Sequence, residues 1–425
     1  MDATRTIEPC GTLSKTIRSI VTELSLRAKG STRVFPSREW GVAMMTRIAV
    51  VVAFTLPVMA AREMSSQAAQ AVARAWNAPA AATYLDQRMD AWRANADKLR
   101  TGQGETICVS CHTVIPYALA RPVLRRAMHV TAPTPQETRL VDETIRRVDT
   151  YGSHQLLYEH QEEKHAESRG TEAILYALIL ANAAADGTRR DLDAPIRKAF
   201  AHLWDSQRRD GAWDWLDFGL EPFESADSAY QGAAWAALAV SLAPQASGAP
   251  AGREKLVNYL RVNYSIQSLY NRTWMLLASS RLKELLTPTE RDALVADIGR
   301  RQRPDGGWSL EGLGPWRWSE TKAPFHSPGE RDQALASQSD GYATGLIVYA
   351  LRQSGLRADD PIVTNGVRWL LASQQTIHGD GQEWQAWRAY SLNFDSEHGG
   401  GRGEPWRRYF FSDAATSFAV LALAE

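Results

Sequence analysis

The chain has 425 residues with 48 basic and 48 acidic side chains and a formal net charge of zero, which excludes a broad nucleic-acid footprint. A hydrophobic fraction of 44% suffices for the core of a globular protein that needs no membrane. Cysteine is scarce at three and tryptophan abundant at 15, more indole than a core requires, so some of it is expected to line a surface or cavity.

Residues 1–43 show no periodic apolar face and read as a non-native or disordered leader, with translation starting at Met44 or Met45; an unusually long n-region of the signal is the alternative. Residues 44–61 follow as a secretory signal. Arg47 is the basic start, Ile48 to Leu56 the apolar run, Pro57 the break, and Ala60-Ala61 the small residues of a cleavage point. The run falls short of the roughly 20 apolar residues that span a bilayer. The expectation is an exported, periplasmic protein. Removal of the leader takes Cys10 with it and leaves Cys108 and Cys111.

Those two cysteines stand in "ICVSCHT", residues 107–113. Cys-x-x-Cys-His is the attachment signature of c-type haem. The chemistry needs two thiols for the vinyl groups and an adjacent imidazole for iron, on the oxidising side of a membrane. Cys108, Cys111 and His112 are therefore the candidate cofactor-binding residues for a covalent haem c, with His112 as iron ligand. A Cys108–Cys111 disulfide and half of another metal site remain open alternatives. Met89, Met128, His129 and His154 are candidates for a sixth ligand.

From residue 83 onward two kinds of helical pattern alternate. Amphipathic segments (83–99, 136–151, 192–207, 253–266, 288–302 and 360–374) read as outer helices, several opened by proline. More apolar, alanine-rich segments (111–128, 168–185, 227–243, 268–282, 339–355 and 412–424) read as inner ones. Period-two strand patterns are absent. Six outer and six inner helices predict an all-α fold, an (α/α)6 toroid occupying residues 62–425 as one domain, with the Cys-x-x-Cys-His motif on its first helical hairpin. An open helical solenoid is the alternative.

Two segments, "QRRDGAW" ending at Trp213 and "QRPDGGW" ending at Trp308, share Gln-x-x-Asp-Gly-x-Trp; a degenerate third copy, "GDGQEW", ends at Trp384. With the "SDGYAT" and "SDAAT" helix starts, residues 135–425 resemble the squalene–hopene cyclase and prenyltransferase superfamily, a terpenoid cyclase-like toroid. The resemblance implies that Gln207, Asp210, Trp213, Gln302, Asp305 and Trp308 tie outer helices together, outside any active site. It also implies a hydrophobic, isoprenoid or terpenoid ligand in a central aromatic cavity. The family's cyclases protonate an alkene from the middle of Asp-x-Asp-Asp-Thr. Here that stretch reads Asp340-Gly341-Tyr342-Ala343-Thr344, and a phenol with a pKa near ~10 cannot protonate an alkene. No Asp-Asp-x-x-Asp and no cysteine for a zinc prenyltransferase site stand near the matching helices.

Inner-helix starts still supply catalytic candidates: Asp340, Asp227, Asp413 and Tyr342, with helix capping the competing role for Asp340 and Asp413. Glu224, Tyr230, Trp274 and Trp384 are the candidate lining of the substrate cavity, with Asn271 and Trp387 nearby and the aromatic loops 213–225 and 314–325 at the same end. "EHQEEKHAE" (159–167), with His160, Glu162, Glu163 and His165, reads as a charged loop rather than a zinc site. Three functions follow. One is a cyclase-like toroid using haem for redox chemistry on a hydrophobic small molecule. Another is a non-catalytic haem c electron-transfer or ligand-binding protein; a glycan-active toroid is the third. A redox partner protein and peripheral membrane contact fit either of the first two.

Overall fold

Apolar, small-residue segments cannot face water along their whole circumference, and here they do not. In the computed structural model, which describes residues 76–96, 98–101, 104–151, 161–316, 334–379, 381–393 and 405–424, they form the inner wall of a helical ring. The leader, the signal segment and His154 lie outside the described residues. Among the described residues are twelve long α-helices. The outer ones are α1 (Ala78–Asn95), α3 (Pro135–Thr150), α5 (Asp193–Asp205), α7 (Pro250–Asn263), α9 (Pro288–Arg300) and α11 (Pro361–Ser373). The inner ones are α2 (Val114–Ala127), α4 (Glu163–Ala185), α6 (Ser228–Leu242), α8 (Leu269–Arg281), α10 (Gly341–Gln353) and α12 (Phe410–Ala424).

Each inner helix packs beside the next, and α12 packs back against α2, which closes the ring. The fold is thus an (α/α)6 toroid, and the open solenoid is excluded. Outer helices begin where proline and capping residues dictate. Thr134 with Glu137 and Thr287 with Glu290 form capping boxes, each followed by proline in the first turn. Inner helices are buried on nearly every face; in α12 every residue from Phe411 to Leu423 is buried.

The repeated motif does the stitching that the family resemblance implies. Gln207 Nε2 donates to the carbonyls of Gly211 (3.1 Å) and Gly252 (3.0 Å), tying the end of α5 to the start of α7. Gln302 does the same from α9 to Ile362 on α11, at 2.9 Å. Trp213 and Trp308 turn their indole N–H back to Leu203 and Ile298, and Asp305 holds the turn by accepting from Gly307 N. The third copy sits in a different register from the sequence reading. Its glutamine is Gln374, which exchanges two hydrogen bonds with the Asn77 backbone and so links α11 to α1. Its tryptophan is Trp387, which donates to Leu370 O (2.8 Å), while Trp384 belongs to an inserted hairpin.

That hairpin corrects the expectation of a strand-free chain. β3 (Gln375–Gly379) pairs with β4 (Gln382–Ala386), and β1 (Lys98–Thr101) with β2 (Gly104–Ile107), both antiparallel. Strands this short show too few alternations for a period-two signal. The first hairpin ends the outer helix at Asn95, not Leu99, and delivers the chain to Cys108.

Candidate functional site

Cys108 leaves β2 half-buried, and the chain then turns sharply into α2. Ser110 makes the turn, its hydroxyl accepting from the amides of Thr113 (3.2 Å) and Val114 (3.1 Å). A serine between the two cysteines therefore caps the helix start that its own motif precedes. Trp92 on α1 donates to Cys108 O at 2.7 Å and pins the segment from outside. Neither cysteine is in a disulfide, and Cys111 is buried at the mouth of the ring.

Behind the motif lies a buried polar network. Asp413, in the first turn of α12, accepts from Arg88 Nε (2.8 Å), Arg88 Nη2 (3.1 Å), Tyr84 Oη (2.8 Å) and Thr113 Oγ1 (2.8 Å). The Tyr409 ring lies 4.9 Å below the Arg88 guanidinium. Thr113 Oγ1 is in turn 2.9 Å from His112 Nδ1. The imidazole is stacked on Phe410 at 3.9 Å and met edge-on by Trp92 and Phe223. Burial, reinforced by the positive charges of Arg88 and Arg407, lowers the His112 pKa to about 3, so the ring is neutral at pH 7. Cys108, Cys111 and His112 thus share one turn: two cysteines outside any disulfide and a neutral imidazole beside them.

Glu224 faces this mouth from the loop before α6. Burial pushes its carboxyl up to about 7, with Arg407 opposing, and the same carboxyl adds to the burial that pushes the Cys111 thiol up. A raised acid costs stability once it must ionise. The loss begins above its unfolded value near ~4.5 and is complete above about 7. Glu224→Gln should remove that loss. Between pH 5 and pH 8, its unfolding free energy in urea should fall by about 1–2 kcal/mol less than that of the wild type; equal pH dependence in both proteins would contradict the assignment.

The other sequence candidates separate. Asp340 is a cap: Oδ1 accepts from the amides of Tyr342 and Ala343 and Oδ2 from Leu310 N. Burial raises it to about 7 against these three amides, but its oxygens are spent on backbone. Tyr342 bonds the Tyr270 hydroxyl at 2.7 Å, and Tyr270 donates to Gln231; burial and Tyr270 hold the Tyr342 phenol well above its ordinary value. Asp227 is half-buried at the start of α6, where its backbone carbonyl accepts from Asn271. Tyr230 turns outward and donates to Leu260 O on α7 at 2.8 Å. Trp384 lies on β4, bonds Gln87 and packs on Tyr84 and Tyr409, buttressing α1.

Trp274 does face the axis, but against Trp235, Tyr270 and Phe418. Trp235, Trp274 and Tyr342 are each 0% exposed, so these aromatics fill the centre with one another. An open aromatic chamber was the expectation; among the described residues the rings pack edge and face against one another instead, with the indole N–H groups of Trp235 and Trp274 buried without an acceptor. Met128 and His129 lie at the far end of α2, about 20 Å along the helix from His112, which removes them as axial ligands. Met89 is fully buried on α1. His160 lies outside the described residues, and no group of three or more His, Cys, Asp or Glu side chains among the described residues is arranged to hold a metal ion.

Sequence reasoning missed Tyr84, Arg88 and Trp92. They recur at every fourth position of α1, on one face, so a polar–aromatic stripe on an outer helix was the available signal. It also missed Thr113, Phe410 and Arg407.

No family model matches the chain, and no curated protein matches it. Eleven chains of solved structures do. One is an unsaturated glucuronyl hydrolase variant described with dGlcA-Glc-Rha-Glc, at 10% identity and a TM-score of 0.48, over 81% of this chain and 95% of that one. The toroid itself stands on the closed ring of inner helices.

Proposed function

We propose that the protein is an exported c-type haem protein whose toroid carries the haem at its mouth for redox chemistry. The observation that supports this best is the placement of Cys108, Cys111 and His112 at one rim turn, with both cysteines outside any disulfide and a neutral imidazole beside Thr113. Cys108 and Cys111 would hold the haem through thioethers and His112 would ligate its iron; the bound group supplies one-electron transfer. Trp92 and Ser110 fix the turn, and Phe410 and Phe223 shield the imidazole from water. A hydrophobic small molecule of isoprenoid kind would meet the haem at the rim of Phe223, Phe410 and Phe411, since the centre below is filled.

Proton-initiated cyclisation lacks its acid, because Tyr342 is a buried phenol and Asp340 is committed to capping. Squalene should be returned unconverted. Most glycosidases use two carboxyls flanking the bond; here Asp413 accepts from Arg88, Tyr84 and Thr113, and Glu221 accepts from Ser225.

Export in a host with haem-maturation machinery tests the proposal. The protein should be coloured, and a haem stain should persist on a denaturing gel. Cys108→Ala with Cys111→Ala should abolish the stain, and His112→Ala should remove low-spin iron. A colourless wild-type protein with Cys108 disulfide-bonded to Cys111 would overturn it.

A further inference from the structure

We propose that the relay Arg88–Asp413–Thr113 is a positioning device that fixes His112 in the tautomer carrying its proton on Nδ1, leaving the Nε2 lone pair free. The argument runs through donors and acceptors. Asp413 receives four hydrogen bonds on two oxygens, and the two from Arg88 can only be donated by the guanidinium. Thr113 has one hydroxyl hydrogen, and at 2.8 Å from Asp413 Oδ2 it is committed to that oxygen. The side of Thr113 Oγ1 that meets His112 Nδ1 at 2.9 Å therefore offers a lone pair. An imidazole nitrogen meeting a lone pair must bring the proton itself. Nδ1 is the donor, and Nε2 has none.

Free histidine in water prefers the opposite tautomer, with the proton on Nε2, so the relay selects the minor form before any partner arrives. That is the form an electrophile needs, since a metal ion binds the unprotonated nitrogen and a donated Nδ1–H makes the ring a stronger ligand. The consequence for iron rests on the haem reading above; the tautomer does not.

The two are separated by measuring the full-length chain made without haem loading, where no iron can impose the tautomer. Two-bond ¹H–¹⁵N correlation spectra of the ¹⁵N-histidine-labelled chain at pH 7 report which nitrogen is protonated, with His112 assigned by loss of its signals in His112→Ala. Wild type and Thr113→Ser should show Nδ1 protonated. Thr113→Val, which keeps the side-chain shape and cannot accept, should revert to the Nε2–H form or a mixture dominated by it. Circular dichroism equal to wild type checks that Thr113→Val is folded. If it is not, Asp413→Asn is the second variant: its amide turns a donor toward Thr113, frees the hydroxyl hydrogen for Nδ1, and should give the same reversion. Nε2–H in the wild type, or Nδ1–H persisting in every folded variant, would overturn the proposal. In the haem-loaded protein Thr113→Val should shift the midpoint potential upward relative to Thr113→Ser. A correct tautomer in a chain that never takes up haem would sink the haem reading and leave the relay standing.

Discussion

Asp413→Ala should lower the unfolding free energy by about 3–5 kcal/mol, among the largest losses of any single side-chain truncation in this chain. The carboxylate and the Arg88 guanidinium are 2% and 3% exposed, and the aspartate also accepts from Tyr84 and Thr113. Removing it strands a buried cation beside a ring with little to offer in exchange. The cost comes from the orphaned partner more than from the lost attraction, so a second substitution should return much of it. Arg88→Met combined with Asp413→Leu replaces the pair by apolar groups of similar size, and should be at most half as destabilising as Asp413→Ala alone. Urea titrations of the wild type, both single variants and the double variant form the required cycle. A double variant as unstable as the sum of its parts would mean that the network is ordinary packing.

The same residue shows how far the chain could be read before its fold was known. Helix count, alternation and ring closure were legible, because amphipathic and all-apolar segments alternate with proline at the entries. The rim motif was legible because Cys-x-x-Cys-His is a contiguous string. Asp413 was visible as a candidate but not in its role. Thr344 and Thr416 occupy matching places, bonding the amides of Trp308 and Trp387. Counted back from these threonines, Asp340 stands four residues earlier and Asp413 three. One residue on a helix is a rotation of about 100°, which turns one aspartate into a backbone cap and the other toward α1. Nothing in the string "SDAAT" declares that difference. Trp384 misled for a related reason. It has the right neighbours in sequence, but a five-residue strand pair was inserted between Gln374 and the true third tryptophan, Trp387. The closed aromatic centre was out of reach too, since a sequence gives the number of rings near an axis and not whether they meet.

Where two inner helices touch without side chains between them, a single methyl group should separate them. A Cβ at position 345 would lie 2.6 Å from both the carbonyl carbon of Phe418 and the amide of Ala419. Those are backbone atoms of α12 and cannot swing away as the end of a side chain can. Gly345→Ala should therefore cost about 2–3 kcal/mol by forcing α10 and α12 apart, despite alanine's better helix propensity. Gly187→Ala provides the control. It has φ +77° and nothing within 4 Å of its would-be Cβ, so it should lose only the ~1 kcal/mol of a left-handed backbone. Thermal melts of the two variants distinguish close approach from backbone strain. Gly345→Ala should also reduce near-ultraviolet circular dichroism, because α12 carries Phe418 against Trp274 and Tyr342 and any displacement of that helix loosens the packed centre. A Gly345→Ala protein that melts with the wild type would show that α10 and α12 stand farther apart than their backbones do here. The tight joint that sets Asp413 beside Thr113 would then have to come from α2 instead.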